Sequence, residues 1–99
     1  MNRILNCRTI QFTRHAVQRM FQRAITADDV RNVLESGGII ADYPDDTPYP
    51  SALVFGVVRG FPLHVVVARH PNNRECIVVT VYIPDPLLWN EDFKTRRRS

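Results

Sequence analysis

His15, Arg19 and Arg23 follow one another at four-residue intervals, the spacing that brings side chains onto one stripe of a helix. An imidazole beside guanidinium groups is what phosphodiester cleavage needs: one group moves a proton while the others stabilise the charge that develops on phosphorus. Even without a reacting histidine such a stripe grips phosphates, because guanidinium forks take phosphate oxygens in pairs. The bland reading is a solvated helix face, and the scarcity of compensating acid around the stripe weighs against it. Three residues further along extend the set. His64 interrupts an apolar run between Leu63 and Val65, and Thr80 and Tyr82 alternate in a β-branched stretch. Their hydroxyls suit the holding of a phosphate, while a buried, hydrogen-bonded imidazole is the plain account of His64. The candidate catalytic residues are therefore His15, Arg19, His64 and Tyr82, and the candidate phosphate-binding residues are Arg23, Thr80, Arg14 and Arg69.

Other chemistries find little support. Cys7, Cys76 and the three histidines lack C-x2-C or H-x3-H spacing, so no metal site is expected. The sequence has no Gly-rich phosphate loop, serine nucleophile elbow or paired-carboxylate motif, and no cofactor is expected. His70 reads as a surface residue in a turn, and Asp42, Asp45 and Asp46 as a polar loop.

The elements that must position these residues are legible from periodicity. Residues 9–12 form a short strand or an extended lead-in. Thr13 is a helix N-cap, and the helix runs to about Ala24 with Ala16, Val17, Met20, Phe21 and Ala24 on one apolar arc. Thr26 and Asp29 make a capping-box pair for a second helix, whose Val30, Val33 and Leu34 give the apolar stripe. Gly37 and Gly38 end it, with glycine taking the left-handed position at the C-terminus. The tight connection predicts a helical hairpin. From Ile39 the period becomes two, with strands at about 38–43, 52–59, 62–69 and 75–83. Arg59-Gly60 and residues 70–74 are the turns of an antiparallel meander. Alternation puts Thr80 and Tyr82 on one face with Cys76 and Val78. Pro84-Asp85-Pro86 stops the last strand, and a short helical turn tucks Trp89 and Phe93 against the body.

The predicted architecture is α+β: two N-terminal helices on a four-stranded antiparallel sheet, followed by a short C-terminal helical turn. Its 99 residues suffice for one core, so a single domain spans 1–99, with a lead-in at 1–8 and a mobile basic tail at 94–99. The net charge is +3, with twelve arginines against the single Lys94. No apolar run reaches the ~18–20 residues of a membrane span and no signal peptide is read at the N-terminus, so the expectation is a cytoplasmic protein without membrane contact. In that reducing compartment Cys7 and Cys76 read as free thiols.

Four ordered motifs carry a resemblance: His-Ala-Val-Gln-Arg-Met (15–20) with Arg23, Tyr-Pro-Asp-Asp-Thr-Pro-Tyr-Pro-Ser (43–51), Pro-Leu-His-Val-Val (62–66), and Thr-Val-Tyr-Ile-Pro-Asp-Pro-Leu-Leu-Trp (80–89) with Asp-Phe-Lys-Thr-Arg (92–96). The chain resembles the bacterial family called domain of unknown function 4258. That family is similar in predicted fold to the RelE and BrnT toxins, which implies a RelE- or barnase-like fold and an mRNA-cleaving toxin of a type II toxin–antitoxin system. The implied partners are a cognate antitoxin and RNA, with ribosome-bound mRNA and a homodimer as further options. In the implied metal-independent reaction His15 or His64 takes the 2′-hydroxyl proton, Arg19 and Arg23 stabilise the phosphorane, and a second histidine or Tyr82 protonates the 5′ oxygen. The alternative is a non-catalytic module that binds RNA or protein through the same arginines.

Overall fold

A computed structural model describes residues 7–97. The lead-in expected at 1–8 and the tail expected at 94–99 therefore lie partly outside the described residues. In chain order the elements are β1 (Thr9–Phe12), α1 (Arg14–Arg23), α2 (Ala27–Ser36), β2 (Gly38–Tyr43), β3 (Ser51–Val58), β4 (Phe61–Arg69) and β5 (Glu75–Tyr82). Among the described residues no helix is long and apolar enough to cross a membrane.

The sheet departs from expectation. It has five strands in the order β1-β5-β4-β3-β2. Strands β2 to β5 form the predicted antiparallel meander, but β1 adds to β5 in parallel, pairing Thr9 with Glu75 through Phe12 with Val78. The four-stranded antiparallel sheet of a RelE- or barnase-like fold is thus replaced by a five-stranded mixed one. A parallel pair needs a long crossover, and the two helices with β2 to β4 supply it. The same pairing overturns the expectation of free thiols. Ile10 lies opposite Cys76, so the chain just ahead of β1 runs beside it, and Cys7 and Cys76 form a disulfide across 69 residues of sequence with Cα atoms 5.6 Å apart.

Between Val66 and Val67 the β4–β5 register slips: Val66 pairs with Thr80, Val67 with Val78, and Val79 is left over as a bulge. A one-residue bulge reverses the alternation of everything beyond it. Cys76 and Val78 face the helices before it, and so does Val81 after it, all three fully buried in the main core. Thr80 and Tyr82 consequently point to the other face, the one that His64 occupies opposite Tyr82, rather than sharing a face with Cys76 and Val78.

On the helical side, Ala16 and Met20 of α1 and Val30, Val33 and Leu34 of α2 close over Val54, Leu63, Val65 and Val67. Each helix has its own support: α1 lies against β5, and α2 against β3 and β4. The tight connection steps the chain across the sheet instead of making the helices each other's main contact. Gly37 is extended (φ −78°) and not left-handed. It is glycine because a Cβ there would overlap the carbonyl oxygens of Phe55 and Val33. On the other face, the expected helical turn is a single turn after Asp85, closed by Leu88 N–H and Trp89 N–H on the Asp85 carbonyl (2.9 and 3.0 Å). The chain then folds back, with Trp89 bridged to Arg96. Asn90 N–H meets Thr95 O (2.8 Å) and Arg97 N–H meets Leu88 O (2.9 Å).

One side chain joins both helices to the sheet. Arg59, at positive φ (47°) in the β3–β4 turn beside Gly60 (85°), donates to both carboxylate oxygens of Asp29 and to the Ala24 carbonyl at 3.1 Å. Asp29 also completes the capping box with Thr26. Burial pushes the Asp29 carboxyl up, but the Thr26 N–H and the Arg59 guanidinium outweigh it and hold the group below its ordinary value. A carboxylate with a lowered pKa stabilises the fold above its unfolded pKa of ~3.9, and that contribution is lost as pH falls through the folded value. Urea denaturation at pH 7 is expected to show Thr26→Ala losing about 1 kcal/mol and Asp29→Asn losing more, with the Asp29→Asn deficit closing as the pH is lowered toward 3.

Candidate functional site

The residues singled out from sequence fall into two groups. His15, Arg19 and Arg23 are exposed on α1. The helix begins at Thr13, whose hydroxyl accepts from Ala16 N–H (3.0 Å) and donates to the Val79 carbonyl in the bulge (2.8 Å). It ends at Ala24 in the left-handed conformation. Burial of Ala16 and Met20 fixes its rotation. Its ten residues include Arg14, Arg19, Arg23 and His15 and no acid, and the ion pairs among the described residues, Arg31–Asp28 and Arg59–Asp29, lie elsewhere. Only part of the apolar arc is used by the core, since Val17 and Phe21 remain exposed.

His64, Thr80 and Tyr82 lie on the sheet face that carries the C-terminal segment, whereas α1 buries its apolar residues in the core on the opposite face. No hydrogen bond or ion pair among the described residues joins the two groups. His64 has no exposed surface. Its Nε2–H donates to the Phe93 carbonyl (2.6 Å), so Nδ1 is the acceptor for the Tyr82 hydroxyl (3.1 Å). Its ring packs edge-on against Trp89 at 4.5 Å, and against Tyr82 and Phe55. Burial pushes the imidazole pKa down, against the upward pull of the Phe93 carbonyl. With both nitrogens occupied and the ring neutral, His64 pins the C-terminal segment to the sheet. Burial likewise raises the Tyr82 hydroxyl, as does neighbouring Tyr43, while Arg96 opposes them. Arg69 is half-buried, its Nε enclosed without a hydrogen-bond partner among the described residues.

Thus the structure brings His15, Arg19, Arg23 and Arg14 together on one exposed helix, and His64 with Thr80 and Tyr82 on the sheet face away from the helices, without uniting the two. Among the described residues no three His, Cys, Asp or Glu side chains converge as a metal would require. The sequence reading tucked Phe93 against the body and put Arg59 in a turn but missed two contacts: the Phe93 carbonyl meeting His64 from a positive φ of 57°, and Arg59 reaching back to α2. Neither carries a local signal.

His64→Ala is expected to lose about 2–5 kcal/mol, as large-to-small core changes do, read by urea denaturation. A histidine with a lowered pKa contributes stability above its unfolded value of ~6.5 that is lost as pH falls through the folded value. The Tm should therefore fall between pH 7 and 5 more steeply in the native chain than in His64→Gln. No curated protein and no solved structure matches the chain. A family model does, over residues 12–83, a span from the end of β1 past the end of β5 that holds every candidate residue on both faces. The chain belongs to that family, described as Domain of unknown function (DUF4258).

Proposed function

We propose that this domain binds RNA through the exposed stripe His15, Arg19 and Arg23 of α1, with Arg14 on the same helix. The observation behind this reading is a ten-residue helix bearing three arginines and a histidine with no acid of its own and no ion pair to quench them among the described residues. Such charges bind phosphates by releasing counterions, and the affinity falls with log[salt] at roughly −0.7 per phosphate on a single strand. Three arginines predict a slope of roughly −2. By fluorescence anisotropy with labelled single-stranded RNA, Arg19→Ala and Arg23→Ala should each weaken binding and flatten the slope by about 0.7. Unchanged affinity in the double variant would sink the reading.

The second reading is a metal-independent endoribonuclease, the toxin of a bacterial type II system whose antitoxin covers the stripe. It is favoured by the position of His15, exposed one helical turn from Arg19. Since His64 is committed to the fold, His15 is the histidine left to take the 2′-hydroxyl proton, with Arg19 and Arg23 on the developing charge. A positioned base contributes about 10²–10⁴ in rate. Induction is then expected to arrest growth with fragmented mRNA, and His15→Ala to abolish cleavage while retaining RNA binding. Intact RNA in both cultures leaves the binding function alone. Either role belongs in the cytoplasm, where thiol pools keep cysteines reduced, so RNA binding by α1 should persist in a dithiol reductant that opens Cys7–Cys76. Loss of binding there argues against a cytoplasmic role.

A further inference from the structure

A pocket of about 340 Å³ opens on the sheet face away from the helices. Its floor is Val66, Ala68 and Ile77. One wall is the loop ahead of β3, with Asp46 and Tyr49, and the other is Val79 with Thr13. The volume is within the ~300–1,000 Å³ of small-ligand sites. Its one charged lining group, Asp46, is an acid, so the pocket repels phosphates and carboxylates and suits a flat, apolar group that presents hydrogen-bond donors. Ser51, buried at the start of β3, donates its hydroxyl to one Asp46 oxygen and so orients the carboxylate. The Tyr49 ring is braced against His70 at 4.8 Å.

Thr13 connects this pocket to the basic helix, because it lines the pocket and is also the N-cap of α1, two residues before His15. From His15 to Arg23 the helix runs about 12 Å along its axis at ~1.5 Å per residue, enough to follow a strand away from the pocket mouth.

We propose that this pocket takes an unstacked guanine base of single-stranded RNA, its Watson–Crick edge on the Asp46 carboxylate and its flanking phosphates on α1. Unstacked bases are read on that edge and packed against aromatic and apolar side chains. An ionised carboxylate only accepts hydrogen bonds. Guanine alone among the four RNA bases presents two adjacent donors there, N1–H and the N2 amino group. Adenine and cytosine set a ring-nitrogen acceptor beside their amino group, and uracil flanks its single N–H with two carbonyls, so each turns a lone pair toward Asp46.

The inference rests on the RNA-binding reading of α1, and the test separates the two. Uridine hexamers carrying G, inosine, A or C at one central position, and the all-uridine hexamer, are compared by anisotropy. Inosine lacks only the N2 amino group, and loss of one charge-assisted bond, about 1.4 kcal/mol or more, predicts a roughly tenfold weaker complex than G. Asp46→Asn should erase the difference between G and inosine while leaving the all-uridine affinity unchanged. Ala68→Leu, which fills the floor, should do the same if Asp46→Asn perturbs the loop. Guanosine alone, titrated while the methyl NMR signals of Val66, Ala68 and Ile77 are followed, reads the pocket without α1. Equal affinity for all five hexamers together with unmoved methyl signals overturns the guanine pocket and leaves the α1 reading intact. Moved signals that Asp46→Asn abolishes, with no hexamer bound, overturn the α1 reading and support the pocket.

Discussion

The β-bulge at Val79 is the constraint on which the rest of this molecule hangs. By leaving one residue unpaired it turns β5 over, sending Val78 and Val81 into the helical core and Thr80 and Tyr82 to the opposite face. It also frees the Val79 carbonyl for the Thr13 hydroxyl. That bond, with Thr13 N–H to the Val78 carbonyl at 3.0 Å, decides where the chain leaves β1 and where α1 begins. A strand without the bulge would bury or expose a different half of β5 and offer no carbonyl at that point.

Two other contacts complete the frame, each spanning a long stretch of sequence. Arg59 reaches from a β-turn to the end of α1 and the start of α2. It sits on two groups at the helix–helix junction, the terminal carbonyl that α1 leaves without a helical partner and the carboxylate that closes the capping box of α2. His64 does the equivalent on the opposite face, where an aromatic surround and a backbone carbonyl turn a titratable side chain into a neutral strut. At His64 both ring nitrogens have partners in a buried setting, and at Arg59 the carboxylate and the carbonyl fix where the guanidinium lies; directional bonds of this kind specify one geometry where apolar packing would tolerate several.

The outcome is a sheet with different work on its two sides. The helical side buries the continuous core and displays the basic stripe outward from α1. The other side is divided between the C-terminal segment over His64 and the open pocket under the Tyr49 loop. Because Thr13 belongs to both the α1 cap and the pocket wall, the two surfaces adjoin at one residue even though the histidines they carry do not meet.

The sequence by itself determined the local structure and the exposed stripe, because the forces that set them act within a few residues. Thr13 and Thr26 announce their caps, the helical and strand periods change sharply at Ile39, and four-residue spacing alone puts His15, Arg19 and Arg23 on one line. Tertiary structure decided everything that hinges on parity or partner. The segment 9–12 holds only four residues, too few to reveal which strand it joins or in which direction, and the Cys7–Cys76 bond follows from that hidden choice. The bulge was equally invisible, since Val79 differs in no way from its β-branched neighbours, and an unbroken alternation assigns Thr80 and Tyr82 to the wrong face. His64 shows the same limit. Its type suggested chemistry, but whether an imidazole is a base or a strut depends on what occupies its two nitrogens, and here both partners arrive from distant parts of the chain.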